Sequence, residues 1–175
     1  MKLYHWLIIT IITLLWFACS NPKMQINGVD VNVSYEILKH ELISQGCELY
    51  NEDAPVIPID SYKFILKRSP QAIMLTSIAS LSLADYNNVI AHYSREYVVN
   101  PIIEGRESFF NLYNREPHRM SEFNIKEEAF KRIINIATDY AEGALLEIDK
   151  DNYIFIGYTS NWHSSRVHVL YYVLE

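Results

Sequence analysis

The residues best equipped for chemistry lie near the C-terminus, where His163-Ser164-Ser165 is followed by His168. A serine set beside a histidine base is the material of nucleophilic catalysis, and Asp149 or Asp151 on a neighbouring turn is the type of residue that orients such a histidine. Adjacency in sequence is not the geometry of a triad. No Gly-x-Ser-x-Gly elbow or glycine-rich phosphate loop occurs, and the chain has only five glycines from which to build one. His163 and His168 are five apart, which places one in a loop and the other on a strand. They match neither the paired helical spacing of a zinc protease nor a Cys/His zinc pattern. Asp149-Lys150-Asp151 resembles the start of a calcium loop, but Tyr153 stands where a third ligand belongs, and the required glycine and glutamate are missing. A polar hairpin turn accounts for it. His40, His92 and His118 are scattered on or beside expected helices. Cys47 has no basic neighbour within three residues to lower its pKa and reads as a small buried hydrophobe. These residues name no catalytic group, no metal ligand and no cofactor.

Two features speak for binding. Between Lys39 and Lys63 there is no lysine or arginine, while Glu41, Glu48, Glu52, Asp53 and Asp60 all fall there. Glu52, Asp53 and Asp60 frame a segment carrying Pro55 and Pro58, and a partner with a basic cleft would find in it a preformed acidic arm. The plainer alternative is a solvated loop that keeps an acidic protein soluble. The second feature is Trp162 with His163 at an expected hairpin tip, either an anchor for a partner or a lid folded back onto a sheet. Candidate partner-binding residues are therefore Glu52, Asp53, Asp60, Trp162 and His163. The local basic patch of Arg106, Arg115, His118 and Arg119 is largely neutralised by Glu104, Glu107 and Glu116.

The N-terminal end carries an address. Lys2 supplies a positive start and Leu7 to Ala18 an apolar run, within the span of a signal-peptide core. Extended back to Leu3, the run is still shorter than the roughly twenty residues that a membrane-spanning helix needs. Cys19 follows Ala18 directly and is followed by polar Ser20-Asn21-Pro22-Lys23. This arrangement resembles the lipid-modified cysteine of a bacterial lipoprotein, although Trp16 and Phe17 depart from the small or aliphatic residues usual before it. The resemblance covers residues 1–20. It implies a signal peptide over 1–18, a multiply acylated Cys19 as a stable anchor, and a tether over 19–24. It places the protein in the cell envelope, facing the periplasm or on the outer membrane. An uncleaved first helix acting as a single-pass inner-membrane anchor is the alternative. A lipidated Cys19 leaves Cys47 without an intramolecular partner; without lipidation, a Cys19 to Cys47 disulfide competes.

Removing residues 1–18 leaves fourteen Lys and Arg against twenty-one Asp and Glu, a net charge of −7. That balance argues against nucleic acid bound through a broad basic face. The remaining 157 residues carry no repeat, no low-complexity tract and no long linker, and read as one globular domain over 25–175, large enough to bury a core.

The elements that must hold these residues alternate in type. Gln25 to Val33 reads as a short hairpin around Asn27-Gly28. Ser34 caps a helix with Ile37, Leu38, Glu41 and Leu42 at helical spacing, ending at Gly46. Pro55 and Pro58 make regular structure over Asn51 to Asp60 unexpected. Tyr62 to Lys67 reads as a strand. Ser69-Pro70 offers a helix opening, and the uncharged segment Gln71 to Ala84 is a buried helix or a buried strand, which periodicity does not separate. Tyr86, Val89, Ile90, Tyr93 and Tyr97 form a helical stripe stopped by Asn100-Pro101. Ile103 to Asn114 reads as irregular or helical. The next helix starts with Asn124 and Glu127, carries Ala129, Ile133, Ala137 and Tyr140 on one face, and ends before Gly143. Ala144 to Ile148, Tyr153 to Thr159 and Arg166 to Leu174 form a C-terminal three-stranded β-meander whose middle strand is apolar on both faces. The expectation is an α+β fold with helices packed on an antiparallel sheet.

Export, acidity, small size and missing catalytic motifs point to a lipoprotein that binds another protein without catalysis. A narrower form is an immunity protein neutralising an antibacterial toxin in the periplasm. The alternatives are an accessory lipoprotein of a secretion or surface complex and a small envelope hydrolase using the His163–His168 hairpin.

Overall fold

The computed structural model describes residues 24–69, 72–99, 103–104, 140–148 and 151–173. The chain enters through a hairpin whose two central residues, Asn27 (φ 49°) and Gly28 (φ 79°), both take left-handed backbone conformations. Asn-Gly tolerates this pair of angles, which matches the twist of the flanking strands β1 (Gln25–Ile26) and β2 (Val29–Asp30). The Ser34 hydroxyl accepts from the Ile37 N–H at 3.4 Å and opens α1 (Tyr35–Ser44). Gly46, at φ 81°, lets the chain leave the helix. The buried stripe of α1 is Leu38 and Leu42, each contributing roughly 2 kcal/mol through removal from water.

Strands dominate the remainder of the chain: β3 (Leu49–Tyr50), β4 (Ala54–Ile59), β5 (Tyr62–Arg68) and β6 (Ile73–Ser77), then α2 (Leu83–Tyr93), then β7 (Val98–Val99), β8 (Ile103–Glu104), β9 (Glu142–Glu147), β10 (Asn152–Ser160) and β11 (Ser165–Val173). Among the described residues, β3 to β11 form one nine-stranded sheet in the order β3-β4-β5-β6-β11-β10-β9-β7, with β8 beside β9. All its pairs are antiparallel, and β9-β10-β11 is the expected C-terminal meander. Both helices contribute to a core against one face, where Ile57, Phe64, Leu66, Leu75, Ile154, Ile156 and Val169 meet Leu38, Leu42, Tyr86 and Val89. The α+β class with helices on an antiparallel sheet is thus present. The opposite face is also buried toward β9, β10 and β11, through Leu145, Tyr153, Phe155, Leu170 and Tyr172. Burial on both sides explains why Tyr153 to Tyr158 shows no polar alternation.

Several expectations are corrected. Residues 54–59 are regular strand despite Pro55 and Pro58. The Val56 N–H points outward to Glu48 O at 2.8 Å, so position 58, two residues on, would also present its N–H outward, beyond the end of the two-residue β3. A proline there loses no ladder bond. Ser69-Pro70 opens no helix: the Ser69 N–H donates to Ala72 O at 2.9 Å, closing a turn into β6. Gln71 to Ala84 therefore divides between a strand and the start of α2, whose cap is Ser82. Ile103–Glu104 is strand, and β9 begins at Glu142, so Gly143 lies within it. Met24, assigned to the tether, is buried in the core. The signal peptide, Cys19, the basic patch around Arg106 to Arg119, and the helix expected from Asn124 lie outside the described residues, as do Asp149 and Lys150.

Candidate functional site

The candidate binding residues occupy opposite ends of the sheet. β4 runs from the β3–β4 turn, which carries Glu52 and Asp53, to the β4–β5 turn, which carries Asp60. Six strand residues at about 3.3 Å each set these turns roughly 20 Å apart. The charges are also engaged locally. Asp53 pairs with Lys39 of α1, and Glu48 pairs with Lys63 at 2.5 Å. Asp60 takes His92 Nδ1 at 2.9 Å and Arg95 Nη1 at 3.5 Å. The hydrogen bond from His92 and the charges of His92 and Arg95 hold the Asp60 carboxyl below its usual range. The acidic arm is therefore split in space and largely answered by the protein's own cations. Glu52, in a left-handed turn at φ 63°, stays exposed.

Trp162 lies in the β10–β11 turn, at the same end of the sheet as Asp60. Its side chain is 101% exposed, so it projects into solvent and does not fold back as a lid. The turn beneath it is closely tied. Asn161 Oδ1 accepts from the N–H groups of His163 at 3.1 Å and Ser164 at 2.8 Å, and the Asn161 N–H donates to Ser164 O at 3.1 Å. The segment after β6 braces it from the side: the Ser165 N–H donates to Ser80 Oγ at 3.0 Å, and the Leu81 N–H to Ser165 O at 3.1 Å. An indole is thus held outward on a turn with little freedom of its own.

Among the described residues the catalytic groups expected at this hairpin are apart: Asp151 precedes β10, at the end opposite the turn that carries His163. His163 is exposed on the turn. His168 sits five residues along the chain on β11, roughly 16 Å away by strand rise. His168 is instead held by two threonines, with Thr76 Oγ1 at 3.2 Å from Nδ1 and Thr159 Oγ1 at 3.2 Å from Nε2, and by the ring of Tyr140 at 5.4 Å. Burial first, then the charges of Lys67 and Arg166, push the imidazole down to about 4. Sequence reasoning found His168 but not this setting, because Thr76 is 92 positions away and only the β6–β11 register brings it alongside. The usable signal was the alternation of Arg166, His168 and Leu170 on one face of a strand. No group of three His, Cys, Asp or Glu among the described residues is placed to hold a metal. Cys47 is half-buried against the core and takes Asn27 Nδ2 at 3.7 Å.

A second feature that sequence reasoning missed is a pair of buried phenols. Tyr93 of α2 and Tyr171 of β11 share a hydroxyl–hydroxyl bond of 2.5 Å beside a pocket of about 280 Å3 that Glu96 and Tyr97 also line. Burial raises both phenols, so both stay protonated. Among the described residues no helix is long and apolar enough to cross a membrane. Comparison with family models, with curated proteins and with solved structures returns no match.

Proposed function

We propose that this chain is a lipid-anchored protein of the bacterial cell envelope, tethered through Cys19, that binds another protein without catalysis and uses the β10–β11 tip as its anchor. The observation that carries the reading is Trp162, wholly exposed on a turn fixed by Asn161, Ser80 and Leu81. A tryptophan in water gains substantially when a partner's pocket takes it, and a turn already ordered loses little freedom in doing so. His163 beside it supplies a polar rim. The residue pattern around Cys19 supports the tether.

The partner in the narrower form of this reading is a secreted antibacterial toxin, which the chain would neutralise as an immunity protein. The division of Glu52 and Asp53 from Asp60 moves the expected contact from an acidic arm to the tryptophan tip. Affinity capture with the full chain from native envelope and secreted fractions, with Trp162→Ala alongside, tests the reading. One stoichiometric partner, lost or weakened with the variant, is the expected result, and a toxin in that position gives the narrower form. Capture of nothing, or of a partner indifferent to Trp162, overturns it. Cys19→Ala tests the tether separately: its mass should lack the acyl increment and the protein should leave the membrane without detergent. An unchanged mass and extraction profile would favour the uncleaved inner-membrane helix.

A further inference from the structure

In a chain of net charge −6, three unanswered cations around one opening are out of keeping with the rest of the surface. Lys67 and Arg68 at the end of β5 and Arg166 near the start of β11 line a groove of about 750 Å3, together with Thr76 and Asp53. Among the described residues none of the three pairs with a carboxylate, whereas Asp53, the acidic residue of the lining, is taken by Lys39. Arg166 spends one bond, from Nη1 to Ser165 O at 3.4 Å. The sheet register sets their places. Thr76 pairs with Ile65 of β5 on one side and His168 of β11 on the other, so Lys67 and Arg166 share its face of the sheet, Lys67 opposite Met74 toward one end of β6 and Arg166 toward the other, with Thr76 and His168 between them. Like charges gathered on one concave surface repel one another, and an anion between them relieves that repulsion.

We propose that this groove binds a phosphate group, with Arg166 and Lys67 as its cationic partners and the Thr76 hydroxyl at its floor between them. Guanidinium forks match the oxygens of a tetrahedral oxyanion, and an ammonium adds a point charge. Two positive charges exceed what a single carboxylate answers, which favours phosphate over a carboxylate ligand. Trp162 is not among the lining residues, and phosphate binding here does not depend on its role.

His168 reports on the groove from beneath. The groups facing it are Lys67 from β5, Thr76 from β6, Thr159 from β10, Arg166 from its own strand, and the Tyr140 ring. Lys67 and Arg166 help to hold its imidazole down to about 4, so an anion that offsets them raises it.

The experiment is an NMR titration of the His168 ring in the full chain. One arm uses inorganic phosphate, another glycerophosphoglycerol, a phosphodiester headgroup without acyl chains, and a third sodium chloride at matched ionic strength. A saturable shift and an upward move of the His168 titration with inorganic phosphate assign the groove to free phosphate. The same response to the phosphodiester alone assigns it to a lipid headgroup, and either supports the proposal. Lys67→Gln and Arg166→Gln should each weaken the response about tenfold while the amide spectrum elsewhere stays unchanged. No saturable shift in either phosphate arm, an equal response to sodium chloride, or variants that bind as the parent does would overturn it.

Discussion

His168 is a base kept uncharged by its surroundings, and that has a consequence for stability. Its folded pKa lies near 4 against an ordinary value of 6.5, so between those pH values the unfolded chain binds a proton that the folded chain refuses. Stability is therefore undiminished above about pH 6.5, falls as pH drops toward 4, and levels off below, for a total of about 3 kcal/mol. Denaturant titrations across that window should show the decline, and His168→Gln should flatten it. A wild-type curve already flat there would contradict the burial of the ring. Beside it, Gly157 has a packing role that the sequence does not announce. A Cβ at this position would fall within the Tyr140 ring, which packs on both Phe155 and His168. Gly143, its neighbour in the β9–β10 register, is equally confined, with Phe155 Cζ at 2.6 Å from where a Cβ would stand. Gly157→Ala should displace Tyr140 and cost about 1–3 kcal/mol in equilibrium unfolding.

At the scale of elements, α2 rests on a complete capping box. Ser82 Oγ accepts the Asp85 N–H at 3.2 Å while Asp85 Oδ2 accepts the Ser82 N–H at 2.8 Å. The bonds that the Asp85 carboxylate accepts, first from the Ser82 N–H and then from the Ser82 and Tyr62 hydroxyls, lower it below its ordinary 3.8, so this contribution is present above that pH and is lost as pH falls through the lowered value. Ser82→Ala should destabilise by about 1 kcal/mol, read as a lower denaturation midpoint with an unchanged slope. Strand β4 shows a different economy. Among the described residues no strand pairs with its outer edge beyond the two residues of β3, and Pro58 stands there in place of a donor. Pro58→Thr restores an outward N–H on a strand-compatible residue and should increase concentration-dependent self-association by light scattering, with little change in monomer stability. The elements themselves were largely legible. The Asn27-Gly28 hairpin, the Ser34 and Gly46 boundaries of α1, the tyrosine stripe of α2 and the meander each rest on local turn chemistry or periodicity, which operates within a few residues. The β4 strand and the division of Gln71 to Ala84 were not legible, because they depend on which neighbour each strand acquires.

For the whole molecule, three functions are proposed on different residues: a tether at Cys19, an anchor at Trp162, and a cationic groove across β5, β6 and β11. Division among different residues predicts independence. Trp162 buries nothing, so Trp162→Ala should leave the unfolding midpoint within about 0.5 kcal/mol of the parent while removing partner capture. A large loss of stability would mean that the indole packs on the protein in solution. The sequence by itself determined the fold class, the hairpin that carries Trp162, the overall acidity and the resemblance around Cys19, since all of these follow from local pattern and composition. Tertiary structure decided the rest. It split Glu52 and Asp53 from Asp60 by the length of a strand, answered Asp60 with His92 and Arg95, set Thr76 and Thr159 on His168, and placed Lys67 and Arg166 on the same face around it. Those outcomes turn on strand order and register, which join residues up to ninety-two positions apart, and no local pattern encodes a separation of that length.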